Sequence, residues 1–189
     1  MLDRALARRI KVVGLDVDGV FTDGGVYIGL VAHHPLEFKR FHVQDGLGVK
    51  LLRTAGLPVI LVSGRASEAS EARATEMEVD ELIEVAPEAK LAALEKALER
   101  RGLGLDGCAY VGDDLADVPV LQAVALPIAV ANAAAEVKAA ARLVTAVPGG
   151  QGAVREVAEL LLKARGDWPA LLERYFEVGD VARPTDRSR

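Results

Sequence analysis

Val12-Val13-Gly14-Leu15-Asp16-Val17-Asp18-Gly19-Val20-Phe21-Thr22-Asp23 is an apolar run that ends on two carboxylates one residue apart. The run predicts a buried strand over residues 11–16. Side chains alternate across a strand, so residues i and i+2 face the same way. Asp16 and Asp18 are therefore expected to leave the strand's carboxyl end into one small space. Two like charges so close raise one carboxyl pKa unless a cation neutralises them. Mg²⁺ is the simplest such cation, because hard divalent ions take carboxylate oxygens. One carboxylate is then available as a nucleophile and the other as a general acid and base. Taken alone, the pair is equally compatible with a solvated turn.

A second acidic cluster decides between these. Gly112-Asp113-Asp114-Leu115-Ala116-Asp117 also follows a strand-like run, Cys108-Ala109-Tyr110-Val111. In an open parallel sheet the carboxyl ends of the strands line one crevice, where ligands bind. Two strands that each end in acids thus predict one shared site. The 189 residues, 51% hydrophobic and 27% charged, suit a single globular domain with a full core. A net charge of −5 gives no basic surface for nucleic acid. The lone cysteine, Cys108, lies in a core strand, so a buried structural thiol in a reducing, cytoplasmic setting is expected. No apolar run reaches the roughly 20 residues of a membrane span, and the charged start lacks the apolar centre of a secretion signal.

Strands and helices alternate along the rest of the chain. Strands are expected over 57–62, 81–85, 108–112, 126–130 and 143–144. Helices are expected over 46–55, with Asp45 as N-cap, and over 66–77, 88–101, 118–124, 133–141 and 153–164. This alternation implies a parallel sheet with right-handed crossovers. Residues 24–43 break it. Val26-Tyr27-Ile28, Gly29 and Glu37-Phe38-Lys39-Arg40-Phe41 read as a β-hairpin flap. Its apolar side chains would be exposed on a lone ribbon, so a partner subunit is expected to cover them. The domain is drawn over 1–176 and a polar, poorly ordered tail over 177–189.

Three further strand or helix ends carry polar groups. Ser63-Gly64-Arg65 offers a hydroxyl and backbone amides suited to a phosphate oxygen, although by itself it is also an ordinary turn. Lys90, near a helix start, can add positive charge to the same phosphate or be a plain surface lysine. Gly149-Gly150-Gln151-Gly152 either lets backbone approach a ligand or is simply a loop before the last helix. His33 and His34 fall at the hairpin tip and read as solvated. His42 is a candidate to reach the site from the flap.

In chain order, Asp16-x-Asp18, Ser63, Lys90 and Gly112-Asp113-Asp114-x-x-Asp117 resemble the four motifs of the haloacid dehalogenase superfamily of phosphotransferases. The resemblance implies an α/β fold: a Rossmann-like doubly wound parallel sheet with helices on both faces. It implies that Asp16 attacks phosphorus and that Asp18 protonates the leaving oxygen and later activates water. It implies Mg²⁺ held by Asp16, the main-chain carbonyl of Asp18 and Asp113, with Ser63, Gly64 and Lys90 on the phosphoryl oxygens. Arg65 and His42 are then the substrate-facing candidates. Phosphoryl transfer needs in-line positioning and neutralised charge above all, which this set supplies.

Asp16-Val17-Asp18-Gly19-Val20-Phe21-Thr22-Asp23-Gly24, Phe41-His42-Val43-Gln44-Asp45-Gly46 and Gly149-Gly150-Gln151-Gly152-Ala153-Val154-Arg155 further resemble the capless subgroup of 3-deoxy-D-manno-octulosonate 8-phosphate phosphatases. That resemblance implies a sugar-phosphate substrate and a homotetramer whose flaps complete neighbouring sites. It also implies no cap domain, and the hairpin and one helix fill the space where a cap would be inserted. The subgroup shows arginines where this chain has Gln44 and Gln151. Gln cannot replace the charge or the bidentate fork of Arg, so a nonulosonate 9-phosphate or another sugar phosphate is an alternative substrate. A non-catalytic regulatory module on the same fold is a rival of another class, and the joint presence of Asp16, Asp18, Lys90 and Asp113 argues against it. A phosphomutase needs a cap to exclude water, and a receiver domain lacks the second aspartate.

Overall fold

The structure, a computed structural model, describes residues 2–181. Its elements run α1 (Arg4–Arg9), β1 (Val12–Asp16), β2 (Thr22–Val31), β3 (His34–Phe41), α2 (Val43–Thr54), β4 (Val59–Ser63), α3 (Glu68–Glu76) and β5 (Glu81–Glu84). They continue with α4 (Lys90–Glu99), β6 (Cys108–Gly112), α5 (Val118–Ala123), β7 (Leu126–Ala129), α6 (Ala135–Ala140), β8 (Leu143–Val144), α7 (Ala153–Arg165) and α8 (Trp168–Val181). The main sheet is parallel throughout, in the order β5-β4-β1-β6-β7-β8. β1 sits at the reversal of strand order, the place where such sheets open a crevice at their carboxyl ends. Its neighbours are fixed by register: Asp16 pairs with Val62 and Leu15 with Val111. β1, β4 and β6 are buried along their whole length, which is why they read as unbroken apolar runs.

Helices cover the sheet. α7 has a buried stripe of Val154, Val157, Ala158, Leu161 and Leu162 and packs against α1 and α2. It lies between two left-handed glycines, Gly152 at φ 106° and Gly166 at φ 87°. The helix expected to start after Asp45 begins earlier, at Val43, with His42 in the capping position. Asp45 therefore does not cap its own helix. Its buried carboxylate accepts from the backbone N–H of Gly152 at 3.2 Å and of Arg155 at 3.0 Å, and so caps α7 instead. Burial raises its pKa even so. α8 is not signalled in the sequence. It continues to Val181, past the residue at which the sequence suggests a polar tail, and residues 182–189 lie outside the described part.

β2 and β3 form a separate two-stranded antiparallel sheet, the expected flap. Its turn is Ala32-His33, both left-handed, a geometry that matches the twist of the flanking strands. Tyr27, Ile28, Leu30, Val31 and Phe38 are exposed on it. At its root, Phe41 packs on Phe21 with ring centres 5.6 Å apart. No described helix is long and apolar enough to cross a membrane.

Candidate active site

β1 delivers Asp16 to the crevice, where only 5% of the residue is exposed. β1 ends at Asp16, so the two-residue alternation stops there and Asp18 belongs to the turn that follows. The carboxylates that crowd Asp16 come from the segment that follows the next strand over: Asp16, Asp113 and Asp117 offer oxygens within 4.8 Å of one another. Burial first, then the negative charge of Asp117, pushes the Asp16 pKa well above the usual carboxylate range. Asp113 is likewise pushed up to about 6, chiefly by burial.

Lys90 answers that charge. It is the first residue of α4, is almost wholly buried, and donates to Asp16 Oδ1 and to Asp117 Oδ1, each at 2.8 Å. Burial disfavours its charge, but the two carboxylates prevail and hold its pKa above the ordinary lysine value. Asp117, fully buried, also accepts from the Tyr110 hydroxyl at 2.9 Å and, through Oδ2, from the N–H of Asp113 at 3.1 Å and of Asp114 at 3.4 Å. Asp114 is turned outward to cap the short 3-10 turn Leu115–Asp117.

Asp113 reaches the site through a gap that only glycine leaves. Gly19 has φ 95°, and a Cβ there would stand 1.9 Å from Asp113 Oδ2. Asp113 Oδ1 is buried with no hydrogen-bond partner. An orphaned carboxylate oxygen beside Asp16 is what a divalent-ion site leaves when its protein donors are counted alone. Asp117 is near enough to share the ion, but protein donors already occupy both its oxygens.

Ser63 ends β4, fully buried, with its hydroxyl donating to the Arg65 carbonyl at 2.7 Å. A Cβ on Gly64 would stand 3.6 Å from Lys90 Cε, so this turn lies against the lysine stem. Arg65 leans to the flap and ion-pairs with Glu37, which also accepts from Ser67 Oγ at 2.6 Å. Asp18 meets the flap too. Lys39 Nζ donates to its Oδ2 at 3.0 Å and to Ser70 Oγ at 3.0 Å. His42 is held beside Asp45 at the start of α2, with Nδ1 buried and unpartnered. Gly149 and Gly150 serve close backbone packing: a Cβ on Gly149 would stand 1.7 Å from the Gly19 carbonyl oxygen, and the Gly150 N–H donates to Val20 O at 3.0 Å.

The crevice thus joins Asp16, Asp113, Ser63-Gly64 and Lys90, as the motif order implies, with Asp18 at its flap side. Sequence reasoning assigns no role to three contributors. Asp117 carries a signal, as the third acid of its cluster. Lys39 and Tyr110 carry none, because a strand lysine and a core tyrosine look like any others until the chain folds.

Comparison with known proteins shows the family. Residues 83–156 match the haloacid dehalogenase-like hydrolase family. The chain is 40% identical over 162 residues to the 3-deoxy-D-manno-octulosonate 8-phosphate phosphatase KdsC of Escherichia coli strain K12, spanning 86% of this chain and 84% of that protein. The crystal structure of the Moraxella catarrhalis 3-deoxy-D-manno-octulosonate 8-phosphate phosphatase, in complex with magnesium, phosphate and KDO, superposes with a TM-score of 0.84 at 35% identity, covering 91% of this chain and 97% of that one. The cobalt-bound Haemophilus influenzae phosphatase superposes at 0.78 and 35% identity, covering 85% and 92%. With relatives this similar over most of the chain, the protein belongs to the haloacid dehalogenase-like hydrolases, in the family of the 3-deoxy-D-manno-octulosonate 8-phosphate phosphatases, and is a phosphoric monoester hydrolase.

Proposed function

We propose that the protein is a Mg²⁺-dependent phosphatase that releases phosphate from 3-deoxy-D-manno-octulosonate 8-phosphate through an aspartyl-phosphate on Asp16. The observation that carries this reading is the Lys90 ammonium, buried between Asp16 and Asp117 at 2.8 Å from each, beside the unpartnered Asp113 oxygen. Asp16, the main-chain carbonyl of Asp18 and Asp113 would hold Mg²⁺. The bound ion would supply charge neutralisation for the phosphoryl oxygens and for the crowded carboxylates.

The protein's own groups do the rest. An Asp16 oxygen attacks phosphorus as the sugar oxygen leaves, and the leaving oxygen takes a proton from Asp18. Asp18, now ionised, takes a proton from water, which attacks the phosphorus of the acyl phosphate and frees Asp16 and inorganic phosphate. Lys90 meets a phosphoryl oxygen with the ammonium hydrogen not engaged by Asp16 or Asp117, and Ser63 and Gly64 meet another. Arg65, in the turn after β4 and against the flap, and His42, at the start of α2, are assigned to the sugar. The exposed apolar flap supports a homotetramer in which neighbouring copies cover it. The single buried thiol supports a cytoplasmic setting.

A nonulosonate 9-phosphate is the second reading. Gln44 and Gln151, both exposed, stand where the octulosonate pattern has arginines, so the charge those arginines would offer the octulosonate is missing and another sugar phosphate becomes an option. Phosphate release from a panel of sugar phosphates, with and without Mg²⁺, tests both. The octulosonate 8-phosphate is expected to give the highest kcat/KM. A higher value for a nonulosonate 9-phosphate selects the second reading, and release from none of them overturns both.

A further inference from the structure

Tyr110 is the middle residue of β6 and has no exposed surface. Its register partner in β1 is Gly14, and a Cβ on Gly14 would stand 2.7 Å from the Tyr110 ring. The glycine is what lets so large a side chain lean over the neighbouring strand. A phenylalanine would fill the same space without the cost of drying a hydroxyl, which is recovered only if the hydroxyl is hydrogen-bonded. Here it donates to Asp117 Oδ1 at 2.9 Å. Burial, reinforced by the neighbouring carboxylates, holds the phenol pKa well above its usual value, so the group keeps its proton.

Asp117 Oδ1 accepts from Tyr110 and Lys90, and Oδ2 accepts from the amides of residues 113 and 114. Two donors on each oxygen fill the ordinary capacity of a carboxylate. Asp117 therefore cannot rotate, and the lysine it holds cannot either. Lys90 spends one ammonium hydrogen on Asp117 and one on Asp16, which leaves a single hydrogen with a fixed direction.

We propose that Tyr110 is a positioning residue of the phosphoryl-transfer site: acting through Asp117, its buried hydroxyl sets where Lys90 presents its remaining N–H to the phosphoryl group. The inference rests on the reading of Lys90 as the cation that meets phosphoryl oxygens. Without the hydroxyl, Oδ1 has Lys90 as its only donor. Oδ2 stays held by the amides of residues 113 and 114, while Oδ1, short of one donor, draws the ammonium toward itself, away from Asp16. Charge that is well placed only when fixed in advance loses most of its value when it must reorganise.

Tyr110→Phe removes one oxygen and leaves the ring packed against Gly14. With p-nitrophenyl phosphate and saturating Mg²⁺, kcat is expected to fall about tenfold, the scale of one hydrogen bond to a charged group. KM should change by less than about twofold, because an interaction realised in the transition state moves kcat and kcat/KM together. Inhibition by orthovanadate, which imitates the trigonal-bipyramidal phosphorus, should weaken in proportion to kcat. The Mg²⁺ concentration for half-activation should not move. Wild-type kcat in Tyr110→Phe, or a loss that appears in the Mg²⁺ requirement instead, overturns the proposal. If Tyr110→Phe does not fold, Gly14→Ala displaces the same ring while keeping its hydroxyl and should give the same signature. A wild-type protein inactive on every phosphate ester would instead sink the phosphatase reading itself.

Discussion

Lys39 Nζ lies 2.8 Å from Asp18 Oδ1 and 3.0 Å from Oδ2, so a strand of the flap grips the carboxylate two residues after Asp16. The Lys39 side chain is fully buried although it belongs to an otherwise exposed ribbon. Lys39→Met should cut kcat/KM for sugar phosphates by about tenfold or more, since small misplacements of reacting groups are costly. Lys39→Arg, which keeps a charge at the same reach, should recover part of the loss. Steady-state kinetics of the two variants check this, and equal activity in Lys39→Met and wild type would show that the pair is only a fastening.

Asp16→Asn should abolish turnover with the fold intact, because an amide oxygen does not attack phosphorus. Lys90 keeps Asp117 as a partner in that variant, so no buried cation is stranded. Asp18→Asn should lose most activity through failed protonation and water activation. Phosphate release and a thermal melt measure both, and near-normal turnover in Asp16→Asn contradicts the mechanism.

Chelation should stop hydrolysis and added Mg²⁺ restore it, with Asp113→Ala raising the Mg²⁺ requirement sharply. The pH dependence has a definite sign. Asp113 titrates at about 6 in the fold against an ordinary 3.8, so between those values the native state binds more protons than the unfolded chain. Its contribution to metal-free stability is therefore present below 3.8 and lost as pH rises through about 6. Mg²⁺ pairs with the ionised form and competes with that proton. The rise in melting temperature on adding Mg²⁺ should accordingly be larger at pH 7.5 than at pH 5, a comparison that differential scanning fluorimetry makes directly.

Shortening the hairpin tip at residues 30–35 should impair sugar-phosphate selectivity more than hydrolysis of a small aryl phosphate. The tip lies beyond Lys39 and Glu37, whose contacts with Asp18, Ser67 and Arg65 stay in place. It carries exposed Leu30 and Val31, so the same deletion should weaken self-association. Sedimentation with parallel assays tests both effects, and a fully active wild-type monomer would refute a site shared between copies.

Much of this was legible because the sheet is buried. Strands such as Val59–Ser63 and Cys108–Gly112 must be apolar throughout, and their polar ends then stand out as site residues. Side-chain destinations across the fold were not legible. Asp45 reads as a cap for the helix beside it, yet its carboxylate serves α7, far along the chain, because α2 and α7 lie side by side. Asp16 and Asp18 read as a like-charged pair by strand alternation, yet the strand stops at Asp16, and the crowding comes from Asp113 and Asp117, which follow the neighbouring strand β6. α8 is not legible because its mix of apolar and charged residues merges with a polar tail.

The placement of β1 between β4 and β6 has a consequence for the order of events in folding. The strand that carries Asp16 is made early, but both of its sheet partners are encoded later, as are Lys90 and Asp117. A growing chain therefore displays Asp16 as an ordinary solvated carboxylate. Burial, crowding and the compensating ammonium arrive together, when distant segments close over it, and such non-local closure is slow relative to local structure. Recovery of phosphatase activity during refolding should lag the recovery of helical signal, so that enzyme activity reports the last step of assembly.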